Sequence, residues 1–161
     1  MDESELVHLR RCVELAAEAL DDGDEPFGSV LVDGSGTVRA EDRNRIAAGD
    51  ATRHPEFALA RWAAEHLSEE ERRAATVYTS GEHCPMCAAA HAWVGLGRIV
   101  YVASSAQLSQ WLAEWGRPQA PVRALPVQEI APHVTVEGPV AELAPWVREL
   151  HRLLAERSSH D

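Results

Sequence analysis

The sequence contains no lysine: all 15 of its basic residues are arginine, and 26 aspartate and glutamate residues give a net charge of −11 at pH 7. Binding to nucleic-acid phosphates needs a basic surface. The charge balance therefore disfavours a nucleic acid such as tRNA as the main partner. We attribute the exclusive use of arginine to compositional bias rather than to function.

Two further absences bear on cellular location. No apolar run approaches the roughly 18 residues that a membrane-spanning helix requires, so we expect no membrane partner. Residues 1–5 are acidic where a secretory signal would be basic. The chain has only three cysteines, and two of them lie in a motif that needs thiolates. A reducing cytoplasm is therefore the expected location.

The 161 residues, of which 45% are hydrophobic, are enough for one domain spanning 1–161. The hydrophobic spacing predicts helices over 4–21, 55–67, 85–95, 106–115 and 140–157, and strands over 26–32, 37–42, 75–79, 98–103 and 122–127. A glycine-containing turn joins the first two strands into a hairpin. A hairpin followed by alternating helices and strands predicts an α/β fold with a mixed sheet between helices.

Two short segments carry side chains that bind metals. The sequence His-Pro-Glu occupies 54–56, and Cys-Pro-Met-Cys occupies 84–87, each at the start of a predicted helix. A catalytic zinc site has three protein ligands and an open position for water. We therefore expect His54, Cys84 and Cys87 to bind Zn²⁺, because a helix N-terminus also helps to keep cysteines as thiolates.

Glu56 lies two residues after His54, close to the expected metal but free of it. Zinc lowers the pKa of a bound water from about 15.7 toward about 7, and Glu56 is placed to take that proton. The activated water would then attack an amino-bearing ring carbon. Glu56 would pass the proton to a ring nitrogen and then to the amine, which leaves as ammonia.

A structural zinc site is the alternative interpretation, in which Glu56 merely favours a helix N-terminus. Such a site requires a fourth cysteine or histidine. Cys12 lies far away in an amphipathic helix, where we expect it in the core. His83 and His91 are nearer candidates for a fourth ligand, so the sequence leaves this alternative open.

Together with Pro26-Phe27-Gly28 and Asn44, the two motifs resemble the cytidine deaminase superfamily, and most closely the branch of guanine deaminase, fungal cytosine deaminase and bacterial tRNA adenosine deaminase. The resemblance covers about residues 5–103. It implies a three-layer α/β/α sandwich with a mixed five-stranded sheet. It also implies a zinc cofactor, a glutamate proton carrier, a small heterocyclic substrate and a homodimer.

The resemblance also implies substrate-binding residues, and each has a structural alternative. Asn44 matches the asparagine that hydrogen-bonds the substrate ring, although asparagine also favours turns. Phe27 would line the pocket or simply fill the core. Trp93 stands where guanine deaminases carry a pocket-lining tryptophan, and core packing is its alternative. His83 replaces the family's proline, and it would contact substrate or the zinc water, or point to solvent.

The implied function is hydrolytic deamination of a free nucleobase or nucleoside with a guanine- or cytosine-type amidine. A tRNA-specific adenosine deaminase is the second possibility, and a non-catalytic zinc-stabilised binding module is the third. The acidic segment with which guanine deaminases recognise the base is missing, and a helix with Trp111 and Trp115 stands there instead. We expect those two tryptophans to pack in the core, and His66, His91 and His151 to be surface or packing residues.

Overall fold

The computed structural model describes residues 1–158. The helices are α1 (Glu3–Asp21), α2 (Pro55–His66), α3 (Glu69–Ala74), α4 (Pro85–Trp93), α5 (Ser105–Glu114), α6 (Val127–Ile130) and α7 (Ala144–Ser158), and the strands are β1 (Gly28–Val32), β2 (Val38–Arg43), β3 (Thr76–Gly81), β4 (Arg98–Ala103) and β5 (Val136–Glu137).

The five strands form one mixed sheet in the order β2-β1-β3-β4-β5. Strand β1 is antiparallel to both β2 and β3, while β3, β4 and β5 run parallel to one another. Two antiparallel pairings therefore bring the start of β1 to the edge of the sheet where β2 and β3 end. The predicted mixed sheet and its hairpin are confirmed.

Helices cover both faces of the sheet, because alternate strand residues point to opposite sides. On one face, Val30, Tyr78 and Val100 pack in a cluster with residues of α1, α5 and α7. On the other face, Leu31 and Val77 pack with residues of α2, and further clusters lie around α4 and α6. This is the three-layer α/β/α arrangement expected from the sequence.

Helix α1 lies unusually close to β1, and Gly28 permits this approach. A Cβ atom at Gly28 would lie 2.4 Å from the Cys12 carbonyl oxygen and 2.4 Å from Leu15 Cβ. Cys12 is fully buried within this helix, as expected of a core residue. Asp2 and Glu5 form a capping box at the helix start, a device that contributes about 1 kcal/mol.

The strand predicted over 122–127 is wrong. Residues 117–126 contain no helix or strand, Pro126 caps α6, and the last strand is β5. Pro121 and Pro126 lack the N–H that a strand ladder needs, which explains the failure of that prediction. Helix α3 was not predicted. No helix within the described part of the chain is long and apolar enough to cross a membrane.

Candidate active site

The site residues gather at the edge of the sheet where β1 begins and β2 and β3 end. Gly28 pairs with Arg43, the last residue of β2, and Ser29 pairs with Thr79 near the end of β3. The chain leaving β3 reaches the start of α4 after three residues. Open α/β sheets commonly bind ligands outside the carboxyl ends of their strands, and the topology places this site there.

The three expected metal ligands meet at this edge. His54 is the residue before α2 and Cys84 the residue before α4, and each helix has proline at its first position. Proline is suited to that position because its missing N–H would have no partner there. The ligand atoms of His54, Cys84 and Cys87 all lie within 4.8 Å of one another.

The spacing of these atoms fits zinc. His54 Nδ1 lies 3.6 Å from Sγ of Cys84 and 3.6 Å from Sγ of Cys87. With Zn–S bonds of about 2.3 Å and Zn–N bonds of about 2.0 Å, tetrahedral coordination separates sulfur and nitrogen by about 3.6 Å. Among residues 1–158, no fourth histidine, cysteine or carboxylate joins the cluster. The donor set therefore matches a zinc site with one open position.

The pKa values of the two cysteines also bear on metal binding. The contact with Cys87, followed by the contact with His54, lowers the pKa of Cys84 to about 4. The neighbouring Cys84 sulfur and burial raise the pKa of Cys87. Cys84 is therefore a thiolate at neutral pH, and the metal-free pair holds one proton. Zinc binding would release that proton, since both sulfurs bind as thiolates.

Glu56 lies beside the metal ligands in the first turn of α2, nearly buried. Its Oε1 lies 2.8 Å from the hydroxyl of Thr79 and 3.2 Å from that of Ser29. Burial raises the pKa of Glu56, and the hydrogen bond from Thr79 partly offsets this. The carboxylate is thus held by two hydroxyls beside the metal ligands, and its raised pKa suits a group that accepts and returns a proton.

Asn44 is buried at the end of β2, with its side-chain amide oriented by the backbone. Its Oδ1 accepts hydrogen bonds from the N–H of Ile46 at 3.1 Å and from that of Glu25 at 3.3 Å. Its Nδ2 is buried and has no hydrogen-bond partner within residues 1–158. Because the oxygen is already used, Nδ2 remains as a donor for an acceptor atom of a ligand.

Phe27 and Trp93 lie in different environments. The ring of Phe27 packs edge-on against His151, with 5.0 Å between ring centroids. It also lies close to Gly81, where a Cβ atom would come within 3.1 Å of the ring. Trp93 ends α4 and is 89% exposed. It lines neither of the two cavities described below.

His83 is buried rather than solvent-facing, with 1% of its surface exposed. Its ring packs edge-on against His91 at 5.3 Å between centroids, and neither of its nitrogens has a hydrogen-bond partner within residues 1–158. His91 lies 2.7 Å from the carbonyl oxygen of Gly97 through its Nε2. Neither histidine belongs to the metal-ligand cluster. The nearer candidates for a fourth ligand are therefore packed elsewhere.

Three residues at this site were not identified from the sequence. Ser29 and Thr79 are fully buried hydroxyl residues on adjacent strands, and their oxygens lie 2.9 Å apart beside Glu56. The only sequence signal was a polar residue inside each apolar strand. Glu25 precedes Pro26, and burial raises its pKa while the charge of His54 partly offsets this. Its position directly before the Pro-Phe-Gly motif was the available signal.

Two cavities adjoin these residues. The larger, about 400 Å³, opens beside His54 between α2 and the loop after β2, and its lining includes Arg53, Arg61 and Trp62. Its volume is in the range of small-molecule pockets. The smaller, about 30 Å³, lies beside Phe27 between α5 and α7.

The family model described as "Cytidine and deoxycytidylate deaminase zinc-binding region" matches residues 2–103. The probable cytosine deaminase of Schizosaccharomyces pombe is 30% identical over 144 residues, covering 88% of each chain. The tRNA-specific adenosine deaminase of Agrobacterium fabrum is 36% identical over 100 residues, covering 61% of this chain and 65% of the relative.

Solved structures show the same fold. A guanine deaminase structure from Nitrosomonas europaea has a TM-score of 0.67 and 19% identity, covering 92% of this chain and 83% of that one. A crystal structure in complex with 8-azaguanine has a TM-score of 0.72 and 20% identity, covering 95% and 84%. At this identity the likeness establishes the fold alone.

Proposed function

Because the chain belongs to the cytidine and deoxycytidylate deaminase family and is a hydrolytic deaminase with zinc as its metal, we propose that its substrate is a free nucleobase or nucleoside. The reacting group is a guanine- or cytosine-type amidine. The observation that most strongly supports deamination of such a group is the position of Glu56. Two hydroxyls hold it beside a cluster of three residues that can bind a metal.

The chain's own residues supply the proton transfers. His54, Cys84 and Cys87 would hold the zinc, which would lower the pKa of a bound water molecule toward about 7. Glu56 would accept a proton from that water and deliver it to the ring nitrogen next to the amino-bearing carbon. It would then take the proton of the new hydroxyl group on that carbon and deliver it to the departing amine. Water and the amidine are consumed, and a carbonyl compound and ammonia are formed.

Substrate orientation is assigned to residues around the metal. Asn44 donates from Nδ2 to a carbonyl oxygen or ring nitrogen of the substrate. Phe27 bounds the ring from the start of β1. Neither ring nitrogen of His83 has a hydrogen-bond partner among the described residues 1–158, and we assign this residue a contact with substrate or with the water at the zinc. Trp93 is exposed, so it would reach a substrate only across an interface between two chains.

A homodimer is the assembly that accompanies this proposal. Its support is the nearly complete exposure of Trp93, a large apolar side chain at the end of α4. Size-exclusion chromatography with light scattering should give twice the chain mass, and Trp93→Glu should give the monomer. A monomeric wild-type protein would refute the dimer.

The proposed location is the cytoplasm.

A tRNA substrate is the second candidate, and the relative from Agrobacterium fabrum favours it. The net charge of −11 opposes it, because phosphate contacts require a basic surface. A tRNA gel shift at physiological salt would reverse this ranking.

The experiment that tests the proposed function is an ammonia-release screen. Zinc-loaded protein is incubated with cytosine, guanine, adenine, their nucleosides and related aminated triazines and pterins. We expect turnover of at least one free base or nucleoside. If none releases ammonia and chelation unfolds the protein, the chain is a zinc-stabilised binding module instead.

A further inference from the structure

A small cavity beside Phe27 contains a buried histidine that the proposed chemistry does not use. The cavity has a volume of about 30 Å³, and residues from β3, α5 and α7 line it together with Phe27. The carboxylate of Glu82, which lines this cavity, is already engaged: it accepts the backbone N–H groups of Ser105 and Val127, each at 2.9 Å.

His151 of α7 lines this cavity and is only 5% exposed. Its ring lies 5.0 Å from the Phe27 ring and 6.4 Å from the Trp111 ring, measured between centroids. Within residues 1–158 the His151 ring has no hydrogen bond, and its nitrogens are not fully enclosed. Because the residue lines the cavity, its imidazole is accessible to a small polar group that enters there.

The imidazole is neutral under ordinary conditions. Burial lowers the pKa of His151 to about 4. A neutral imidazole offers one hydrogen-bond donor and one acceptor. It can therefore bind an oxygen or an amino group, and it has no charge to attract a phosphate.

The cavity is connected to the proton carrier through a short chain of contacts. Phe27 packs against Gly81, whose carbonyl oxygen lies 3.0 Å from the Thr79 hydroxyl. That hydroxyl is 2.8 Å from Glu56. The cavity thus adjoins the pocket wall at Phe27. It has room for about one water molecule, which is the size of one exocyclic substituent and too small for a ring.

We propose that His151 is a specificity-determining residue that hydrogen-bonds a second polar substituent of the aminated heterocycle, an oxo, hydroxyl or amino group inserted beside Phe27. The inference deepens the proposed function and rests on it. The preferred substrates are then heterocycles with an exocyclic oxygen or nitrogen besides the amino group that is lost. A site that hydrogen-bonds such a group discriminates against analogues that lack it.

Matched substrate pairs test the inference. Cytosine is compared with 4-aminopyrimidine, which lacks the oxo group, and guanine with 2-aminopurine. We expect His151→Leu to reduce the preference in kcat/KM for the substituted member by about tenfold. His151→Gln should restore part of the preference because it keeps a donor and an acceptor. His133→Leu, which removes an exposed histidine, should leave the preference unchanged.

The outcomes separate this inference from the proposed function. If the wild-type protein turns over none of the panel, the proposed function fails and the inference with it. If it deaminates a pair and His151→Leu keeps the preference within about twofold, only the inference is overturned.

A binding measurement covers the case in which His151→Leu does not fold. Wild-type protein with ¹⁵N-labelled histidine is titrated with uracil or xanthine, the deamination products of cytosine and guanine. The His151 signals are assigned by their absence from His151→Gln. A change in the ring-nitrogen shifts on binding supports the contact, and unchanged shifts on saturation overturn it.

Discussion

The side-chain hydroxyl of Thr79 lies 2.8 Å from Oε1 of Glu56, and this contact joins the sheet to the proposed proton carrier. Thr79 is fully buried on β3, and its backbone is fixed by pairing with β1 and β4. The first turn of α2 carries Glu56 to the same point. The position of the carboxylate is therefore set by two elements that pack independently of substrate.

Replacing Thr79 by valine should reduce turnover without removing the metal. The variant keeps the shape of the side chain but loses a hydrogen bond to a carboxylate, an interaction of about 1.5–3 kcal/mol. We expect kcat to fall roughly 10- to 100-fold with zinc content unchanged. Thr76→Val, a change at the start of the same strand, is the matched control and should keep full activity. A Thr79→Val enzyme with normal kcat would show that the contact does not position Glu56.

Zinc binding should depend on two of the three cysteines. Cys87→Ala removes the sulfur atom that lies 3.6 Å from Nδ1 of His54. Metal analysis of the purified protein should therefore show that it has lost most of its zinc. Cys12→Ala changes a buried cysteine that is not in the cluster, and it should keep one zinc per chain. Equal zinc contents in the two variants would contradict the ligand assignment.

A single substitution can separate the structural role of Asn44, which is to accept two backbone N–H groups, from its proposed role in substrate binding. Asn44→Asp keeps an oxygen for the N–H groups of Ile46 and Glu25 but removes the free Nδ2 donor. The melting temperature should stay close to that of the wild type, while KM rises by tenfold or more because a substrate acceptor loses its partner. Asn44→Ala should lower both stability and affinity. Wild-type KM in Asn44→Asp would exclude substrate contact by Nδ2.

Acid should destabilise the fold partly through His91. Burial lowers the pKa of His91 to about 4, whereas an unfolded chain binds the proton near 6.5. The unfolded state thus holds more protons between these values. The stabilising contribution is fully present above about pH 6.5, and up to about 3 kcal/mol is lost as the pH falls through about 4.

Urea unfolding of the zinc-loaded protein at several pH values measures this effect. In His91→Gln the free energy of unfolding should decrease less steeply between pH 6.5 and 4 than in the wild type. The pH dependence of zinc binding is common to both proteins and cancels in the comparison. If the free energy of unfolding decreased equally with pH in the two proteins, His91 would not be a source of the acid sensitivity.

The grouping of His54, Cys84 and Cys87 was predictable because metal-binding residues follow a local spacing. Cys84 and Cys87 are three residues apart at a helix start, and proline after His54 and after Cys84 marks the two N-termini. The mixed sheet was predictable from the alternation of helices and strands. The ligand spacing can be read within a few residues, and the sheet can be read from the order of the elements along the chain.

The residues around the ligands were not predictable in the same way. Ser29 and Thr79 meet Glu56 because β1 and β3 pair in one register, and that pairing joins residues 50 positions apart. His151 reaches Phe27 because α7 packs against α1, α5 and β4, so its spacing along α7 gave no sign of the contact. No strand forms over 122–127 because Pro121 before it and Pro126 within it lack the N–H that a strand ladder needs.

The most direct test of the account is the turnover of Glu56→Gln alongside its zinc content. Glutamine can still contact the Thr79 and Ser29 hydroxyls but cannot carry the proton. On the best substrate from the screen, we predict one zinc per chain, a fold like that of the wild type, and ammonia release reduced at least 100-fold. A zinc-loaded Glu56→Gln protein that releases ammonia at the wild-type rate would contradict the central claim.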